Sequence, residues 1–97
     1  MQRYILVSYD ISDQKRWSKV YKTMKGFGEH IQYSVFVCQL SDLQKAKLKV
    51  KLESFINHNE DQVMLVDLGP AGQKLLDRKI STIGRDYMPR DLTKLIY

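Results

Sequence analysis

The chain has 97 residues, of which 43% are hydrophobic and 28% charged, with two prolines. This length and composition are typical of one globular domain and exclude a disordered or fibrous protein. Sixteen lysine and arginine residues against eleven acids give a formal net charge of +5, which favours a polyanionic partner such as nucleic acid.

The scarcity of cysteine and histidine limits the chemistry available. Cys38 is the one cysteine and there are two histidines, so an intrachain disulfide and a Cys/His zinc site are excluded. Carboxylates would have to hold any metal. The first ten residues reach an acid too early for a secretory signal, and no apolar run approaches ~18 residues. We therefore expect a cytoplasmic protein.

The first half of the chain alternates between strand and helix patterns. Residues 4–9 (YILVSY) are β-branched and aromatic, which predicts a central strand. A helix is predicted from Ser12 to a stop at residues 26–28 (GFG), because apolar side chains recur at helical spacing. These are Trp17, Val20, Tyr21 and Met24. Residues 30–40 are again strand-like and hold two short strands if the chain turns near residues 32–34.

The second half begins with a helix signal. Ser41 followed by Gln44 predicts a capping box and a helix to about Asn57. Residues 62–68 (QVMLVDL) predict a strong strand that ends at the turn pair Gly69-Pro70. Beyond it we expect a helical turn at residues 75–76 and a short strand at residues 80–83 (ISTI).

This order of elements predicts an α+β fold, a ferredoxin-like βαββαβ sandwich with an extra C-terminal strand. We expect residues 1–97 to form a single domain, with a core at residues 1–69 and a tail at residues 70–97 that packs on a partner protomer. The two helices cover one face of the antiparallel sheet. Because the other face has no helical cover, we expect a homodimer to form through it.

Basic side chains lie together on the first predicted helix. Arg16 is in its first turn, and four lysines lie on the side opposite the apolar stripe: Lys15, Lys19, Lys22 and Lys25. This set predicts a phosphate-binding surface for nucleic acid. A solvated helix face is the equally weighted alternative.

Asp10 ends the first strand immediately before the helix, where a functional carboxylate would have a fixed backbone and access to solvent. Asp13 is better interpreted as a helix cap. One carboxylate is a poor magnesium site, because divalent ions of this kind bind several oxygen ligands. A twofold dimer that brings two Asp10 side chains together would supply a pair, and a metal held there would support phosphodiester hydrolysis.

Two blocks of sequence resemble the CRISPR-associated protein 2 family. The first reads YDISD at residues 9–13, followed by KR at residues 15–16 and by further lysines, and the second reads QYSVF at residues 32–36. The similarity extends over residues 4–68. It implies a homodimer of ferredoxin-like protomers whose C-terminal strand, at residues 80–83, adds to the partner's sheet.

The resemblance also implies a site and an activity. Asp10 falls on the family's metal-binding acid, which with its twofold mate holds one Mg²⁺, or Mn²⁺ as an alternative. The implied reaction is cleavage of single-stranded RNA or double-stranded DNA by this endonuclease. Arg16 falls on a basic position needed for activity in some members. Ser34 and Phe36 fall near the dimer centre.

Other functions stay open at this stage. The family takes part in spacer acquisition, in which the dimer bridges dimers of the CRISPR integrase as a DNA-binding scaffold that need not cut. A further hypothesis places Tyr4, Tyr9, Tyr33 and Phe36 on the open sheet as base-stacking residues. A virulence-associated ribonuclease toxin is a related alternative. Asp67, on the last strand, is a further candidate for a metal carboxylate, but it is better interpreted as the partner of a nearby Lys or Arg, as an interface residue or as an exposed strand end.

Overall fold

The computed structural model describes residues 1–72 and 75–86. In chain order the elements are β1 (Arg3–Asp10), α1 (Gln14–Lys25), β2 (Gly28–Gln32), β3 (Val35–Leu40), α2 (Asp42–Phe55), β4 (Gln62–Pro70) and α3 (Leu75–Lys79). The four strands form one antiparallel sheet in the order β2-β3-β1-β4. The predicted α+β class is confirmed, and so is the order strand, helix, two strands, helix, strand over residues 3–70. The last part of the predicted tail, residues 87–97, lies outside the described residues.

Both long helices begin at the capping residues that the sequence indicates. The Asp13 carboxylate accepts a hydrogen bond from the backbone N–H of Arg16 at 2.9 Å, so Asp13 is the N-cap of α1. Ser41 and Gln44 form the capping box of α2: the Gln44 N–H donates to Ser41 Oγ, and the Ser41 N–H donates to Gln44 Oε1. α2 ends at Phe55, slightly before the predicted end near Asn57.

The core lies between the helices and one face of the sheet. Alternate residues of the strands point toward α1 and α2, because successive side chains of a strand lie on opposite faces. The buried set consists of Ile5, Val7, Tyr9, Val20, Met24, Phe36, Cys38, Leu40, Leu48 and Leu52. Burial raises the pKa of the Cys38 thiol to about 12, so this cysteine serves as a small apolar core residue.

The opposite face of the sheet carries apolar side chains that neither α1 nor α2 covers. Leu6 of β1 pairs with Val66 of β4, and Ser8 pairs with Met64. Met64 is 50% exposed and Val66 38% exposed. Asp10 follows the same alternation along β1 and is exposed. One chain by itself therefore leaves part of an apolar sheet face in contact with solvent.

The structure departs from two sequence expectations about the end of the chain. β4 continues through Gly69 and Pro70 instead of turning there. The pairing of β1 with β4 shifts register between Tyr4 and Ile5, and Gly69, with a φ of 103°, lets the strand continue past this irregularity. Residues 80–83 are not a strand in the single chain, and none of the strands within residues 1–72 and 75–86 pairs with them. Addition of this segment to a partner's sheet stays a prediction. Among the helices in residues 1–72 and 75–86, none combines the length and the hydropathy that a membrane span requires.

Candidate metal and nucleic-acid site

Asp10 stands at the end of β1, paired with Gln62 at the start of β4. It lines a shallow pocket of about 150 Å³ together with residues of the β1–α1 loop, Trp17 and the β2–β3 turn. Its carboxylate makes no hydrogen bond or ion pair with any described part of the chain. Asp10 is thus an exposed carboxylate whose oxygen atoms are available to a ligand.

The donor set of Asp10 suits a hard cation, but one chain offers too few ligands. No group of three or more histidine, cysteine or acidic side chains forms a metal cluster within residues 1–72 and 75–86. The nearby Asp13 carboxylate is occupied in capping α1. Because magnesium favours several oxygen ligands, Asp10 fits a metal site only where a second carboxylate is supplied from outside this chain.

Tyr9, which precedes Asp10, points in the opposite direction. Its ring is 4% exposed and stacks on Phe36, with 6.3 Å between ring centroids. Within the described ranges, its hydroxyl is the one buried side-chain polar atom without a hydrogen-bond partner. Burial raises the pKa of Tyr9 to about 12, so the phenol stays protonated at neutral pH. Tyr9 anchors the end of β1 while Asp10 faces solvent.

Arg16 is bound to Asp61, an acid that the sequence did not indicate. The Arg16 Nε donates to Asp61 Oδ2 at 2.7 Å, and the second guanidinium nitrogen donates to Asp61 Oδ1 at 3.2 Å. The Asp61 side chain has 0% exposure, and its pKa is held well below the usual range, mainly by the Arg16 hydrogen bond. The predicted role of Arg16 in catalysis and phosphate binding stays a prediction, but its guanidinium is already engaged within the chain.

Asp61 connects three segments around the site. Its carboxylate also accepts hydrogen bonds from the backbone N–H of Ser12 at 3.1 Å and of Asn57 at 2.8 Å. Ser12 belongs to the loop that follows Asp10, and Asn57 to the loop between α2 and β4. The Arg16–Asp61 pair therefore fixes the loop that leaves Asp10. Sequence reasoning had no signal for this pair, because its members are 45 residues apart.

The predicted basic face of α1 points to solvent. Lys15, Lys19, Lys22 and Lys25 are exposed, and none of them forms an ion pair within the described part of the chain. Lys25 Nζ lies 5.4 Å from the centre of the Tyr21 ring. Their charge is available to an anionic partner, whereas the charge of Arg16 is balanced by Asp61. Their binding to nucleic acid stays a prediction.

The two residues predicted near a dimer centre contact their own protomer. Phe36 is fully buried and stacks on His30, with 4.8 Å between ring centroids. The Ser34 hydroxyl accepts a hydrogen bond from Trp17 Nε1 at 3.1 Å, and its carbonyl accepts from the Tyr9 N–H at 3.0 Å. The Phe36 side chain supports the protomer core. Its position near a dimer centre stays a prediction.

The four aromatic residues considered for base stacking do not share one open surface. Tyr9 and Phe36 are buried in the core, so that part of the hypothesis is wrong. The Tyr4 hydroxyl donates to the Gly72 carbonyl at 3.0 Å. Tyr33 alone of the four is exposed, and its ring stacks on Trp17.

Asp67 has a structural partner, as the sequence interpretation proposed. Arg3 Nε donates to Asp67 at 2.8 Å, and the Gly69 N–H donates to the same carboxylate. The Arg3 hydrogen bond holds the pKa of Asp67 below its usual value. This carboxylate is therefore engaged at the far end of β4 from Asp10.

Comparisons with known proteins agree on one family. The profile of CRISPR associated protein Cas2 matches residues 1–74. A protein of Geobacter sulfurreducens named CRISPR-associated endoribonuclease Cas2 is 42% identical over 89 residues, which cover 92% of each chain. A Thermus thermophilus protein of the same name is 43% identical over 67 residues, covering 69% of this chain and 71% of the relative.

Solved structures show the same similarity. The crystal structure of Streptococcus pyogenes Cas2 superposes with a TM-score of 0.70 and 26% identity, covering 84% of this chain and 99% of that chain. A hypothetical protein from Thermus thermophilus gives a TM-score of 0.75 at 27% identity, covering 88% and 94% of the two chains.

Proposed function

Because this chain belongs to the CRISPR associated protein Cas2 family, we propose that it is a metal-dependent endonuclease that hydrolyses single-stranded RNA. The observation that carries the proposal is the exposed Asp10 carboxylate, which has no partner in the described chain. The names of the similar proteins, CRISPR-associated endoribonuclease, favour RNA over duplex DNA as substrate. The family match also favours this function over that of a virulence-associated toxin.

The proposed active form is a homodimer with the ferredoxin-like protomers joined through the uncovered sheet face. Exposed Met64 and Val66 support this, because burial of apolar surface drives association. Asp10 lies on the same face of the sheet, so a twofold axis that passes through this face brings the Asp10 side chains of the two protomers toward each other. A magnesium ion held by both carboxylates would supply Lewis-acid polarisation of a phosphate.

Other residues of the chain have supporting roles in this proposal. Asp61 holds Arg16 and the Ser12 N–H, and so keeps the loop after Asp10 in place. Arg16 is accordingly a positioning residue. The four lysines of α1 attract the phosphate backbone over a longer range.

The test compares wild type with Asp10→Ala on labelled single-stranded RNA and on duplex DNA. Each substrate is incubated with Mg²⁺, with Mn²⁺ and with chelator. Asp67→Ala is the matched control, because it removes an acid at the other end of the sheet. We expect metal-dependent RNA cleavage by wild type and by Asp67→Ala, and at least a hundredfold loss in Asp10→Ala with an unchanged oligomeric state. Full activity of purified Asp10→Ala would overturn the proposal.

A second candidate function is a DNA-binding scaffold in spacer acquisition that bridges CRISPR integrase dimers. The unpaired, exposed lysines of α1 favour it, since they offer a basic surface that does not involve Asp10. It predicts salt-dependent duplex binding that survives Asp10→Ala and weakens when Lys15, Lys19 and Lys22 are replaced by Gln. Equal binding by the triple variant and wild type would count against it.

A further inference from the structure

Tyr33 presents an aromatic face to solvent beside the candidate metal site. It lies in the turn between β2 and β3 and is 72% exposed. Its ring stacks on Trp17, with centroids 5.1 Å apart and planes inclined by 21°. Trp17 in turn stacks on Tyr21, and its indole N–H donates to Ser34 Oγ. One face of the Tyr33 ring is thus packed on Trp17, and the opposite face is exposed to solvent.

Two pockets meet at this ring. The smaller one, of about 150 Å³, contains Asp10, and the larger one, of about 600 Å³, lies between the β2–β3 hairpin and residues 81–86. Tyr33 lines both. Residues 81–86, which form one wall of the larger pocket, carry both Arg85 and Asp86, and part of this segment is predicted to join a partner's sheet in the homodimer. The smaller pocket, which contains Asp10, is therefore the one that a bound nucleotide would share with the Tyr33 ring.

Charge alone does not explain how a nucleic acid would be held at Asp10. The charged side chains that line the smaller pocket are both acids, Asp10 and Asp13, and they repel a phosphate in the absence of a cation. The nearest arginine, Arg16, is paired with Asp61. A neutral contact would add affinity at this point without opposing charge, and an open aromatic ring provides one that unpaired bases favour.

We propose that Tyr33, supported by Trp17, is a stacking platform for an unpaired nucleobase of single-stranded RNA and places the adjoining phosphate beside Asp10. This deepens the proposed function and rests on it for the role of Asp10. Because every base has a π face, the platform selects single strands over duplexes without selecting a sequence.

Binding is measured in chelator, so that affinity is separated from cleavage. Two fluorescein-labelled probes are compared: a uridine hexanucleotide, and a hexanucleotide of the same charge with abasic sites. Binding of each probe is measured by fluorescence anisotropy. Tyr33→Leu keeps an apolar cover on Trp17 but removes the π face, and Tyr33→Phe keeps the ring. Trp17, the one tryptophan of the chain, reports stacking through its intrinsic fluorescence.

We expect Tyr33→Leu to weaken binding of the base-bearing probe by about fivefold to a hundredfold and to leave the abasic probe unchanged. Tyr33→Phe should stay within about twofold of wild type, since it retains the stacking face. Equal loss for both probes, no loss for either, or a change of oligomeric state in Tyr33→Leu would overturn the inference. The last result would place Tyr33 at an interface between copies.

Failure of the inference and failure of the proposed function are distinguishable. If wild type cleaves RNA through Asp10 but Tyr33→Leu binds and cleaves normally, the platform alone is wrong. If the base-bearing probe binds through Tyr33 but no metal supports cleavage, the endonuclease proposal is wrong and the platform stands.

Discussion

Replacing Tyr9 with Phe removes one oxygen atom and is expected to stabilise the protein. The Tyr9 ring is 4% exposed and packs against Phe36 and Trp17, so Phe can occupy the same space. The hydroxyl has no hydrogen-bond partner in the described chain, although water would satisfy it in the unfolded state. The substitution therefore removes a desolvation cost without removing a native hydrogen bond.

The size of the stabilisation by Tyr9→Phe follows from the desolvation cost of the hydroxyl. A buried polar group without a partner costs about 1–3 kcal/mol, and the small void left by the oxygen offsets part of it. We expect the free energy of unfolding to rise by about 1 kcal/mol. For a chain of this size, that corresponds to an increase of ~4–8 °C in Tm.

Urea denaturation followed by circular dichroism measures the change. The midpoint should rise while the slope m stays constant, because the surface exposed on unfolding is nearly the same. Tyr33→Phe is the matched control: its ring is 72% exposed, so the same chemical change should alter stability by less than ~0.5 kcal/mol. A lower midpoint for Tyr9→Phe would refute the reasoning and show that the hydroxyl is hydrogen-bonded in solution.

Two further predictions concern the frame of the site. A Cβ on Gly28 would lie 2.5 Å from Cys38 Sγ, so Gly28→Ala should cost about 1–3 kcal/mol in urea denaturation. Gly26→Ala, with its nearest atom at 3.4 Å, should be nearly neutral, and equal midpoints for the two variants would contradict the close packing. The lowered pKa of Asp61 means that its pairing with Arg16 stabilises the protein above the ordinary aspartate pKa near ~4 and loses that effect as pH falls further. The difference in unfolding midpoint between wild type and Asp61→Asn should therefore shrink from pH 7 to pH 3, and a constant difference would show that the pair does not titrate as proposed.

Local sequence patterns were sufficient to predict most of the secondary structure. The helical spacing of Trp17, Val20 and Met24 and the capping box at Ser41 act over a few residues, so a single sequence contains their whole signal. The position of Asp10 at a strand end was accessible for the same reason. The order of elements then left few arrangements in which two helices could cover one face of a sheet.

Contacts between distant segments were not accessible in this way. Arg16 looked like a free cation beside its neighbouring lysines, yet it meets Asp61 across 45 residues of sequence. Tyr9 and Tyr33 look equivalent as aromatic residues, but one is buried under the helices and the other is open beside Asp10.

The sequence by itself determined the α+β class, the helix caps, the apolar stripe of α1 and the candidate acid, because periodicity and capping are local. Only the tertiary structure decided that the Arg16 charge is balanced by Asp61, that Tyr33 alone of the candidate stacking residues is open, and that residues 80–83 lack a strand partner in one chain. These outcomes depend on which surfaces meet after folding. Pairing of charges, exposure of rings and strand formation all require a neighbour, and the chain brings neighbours together only when it is folded.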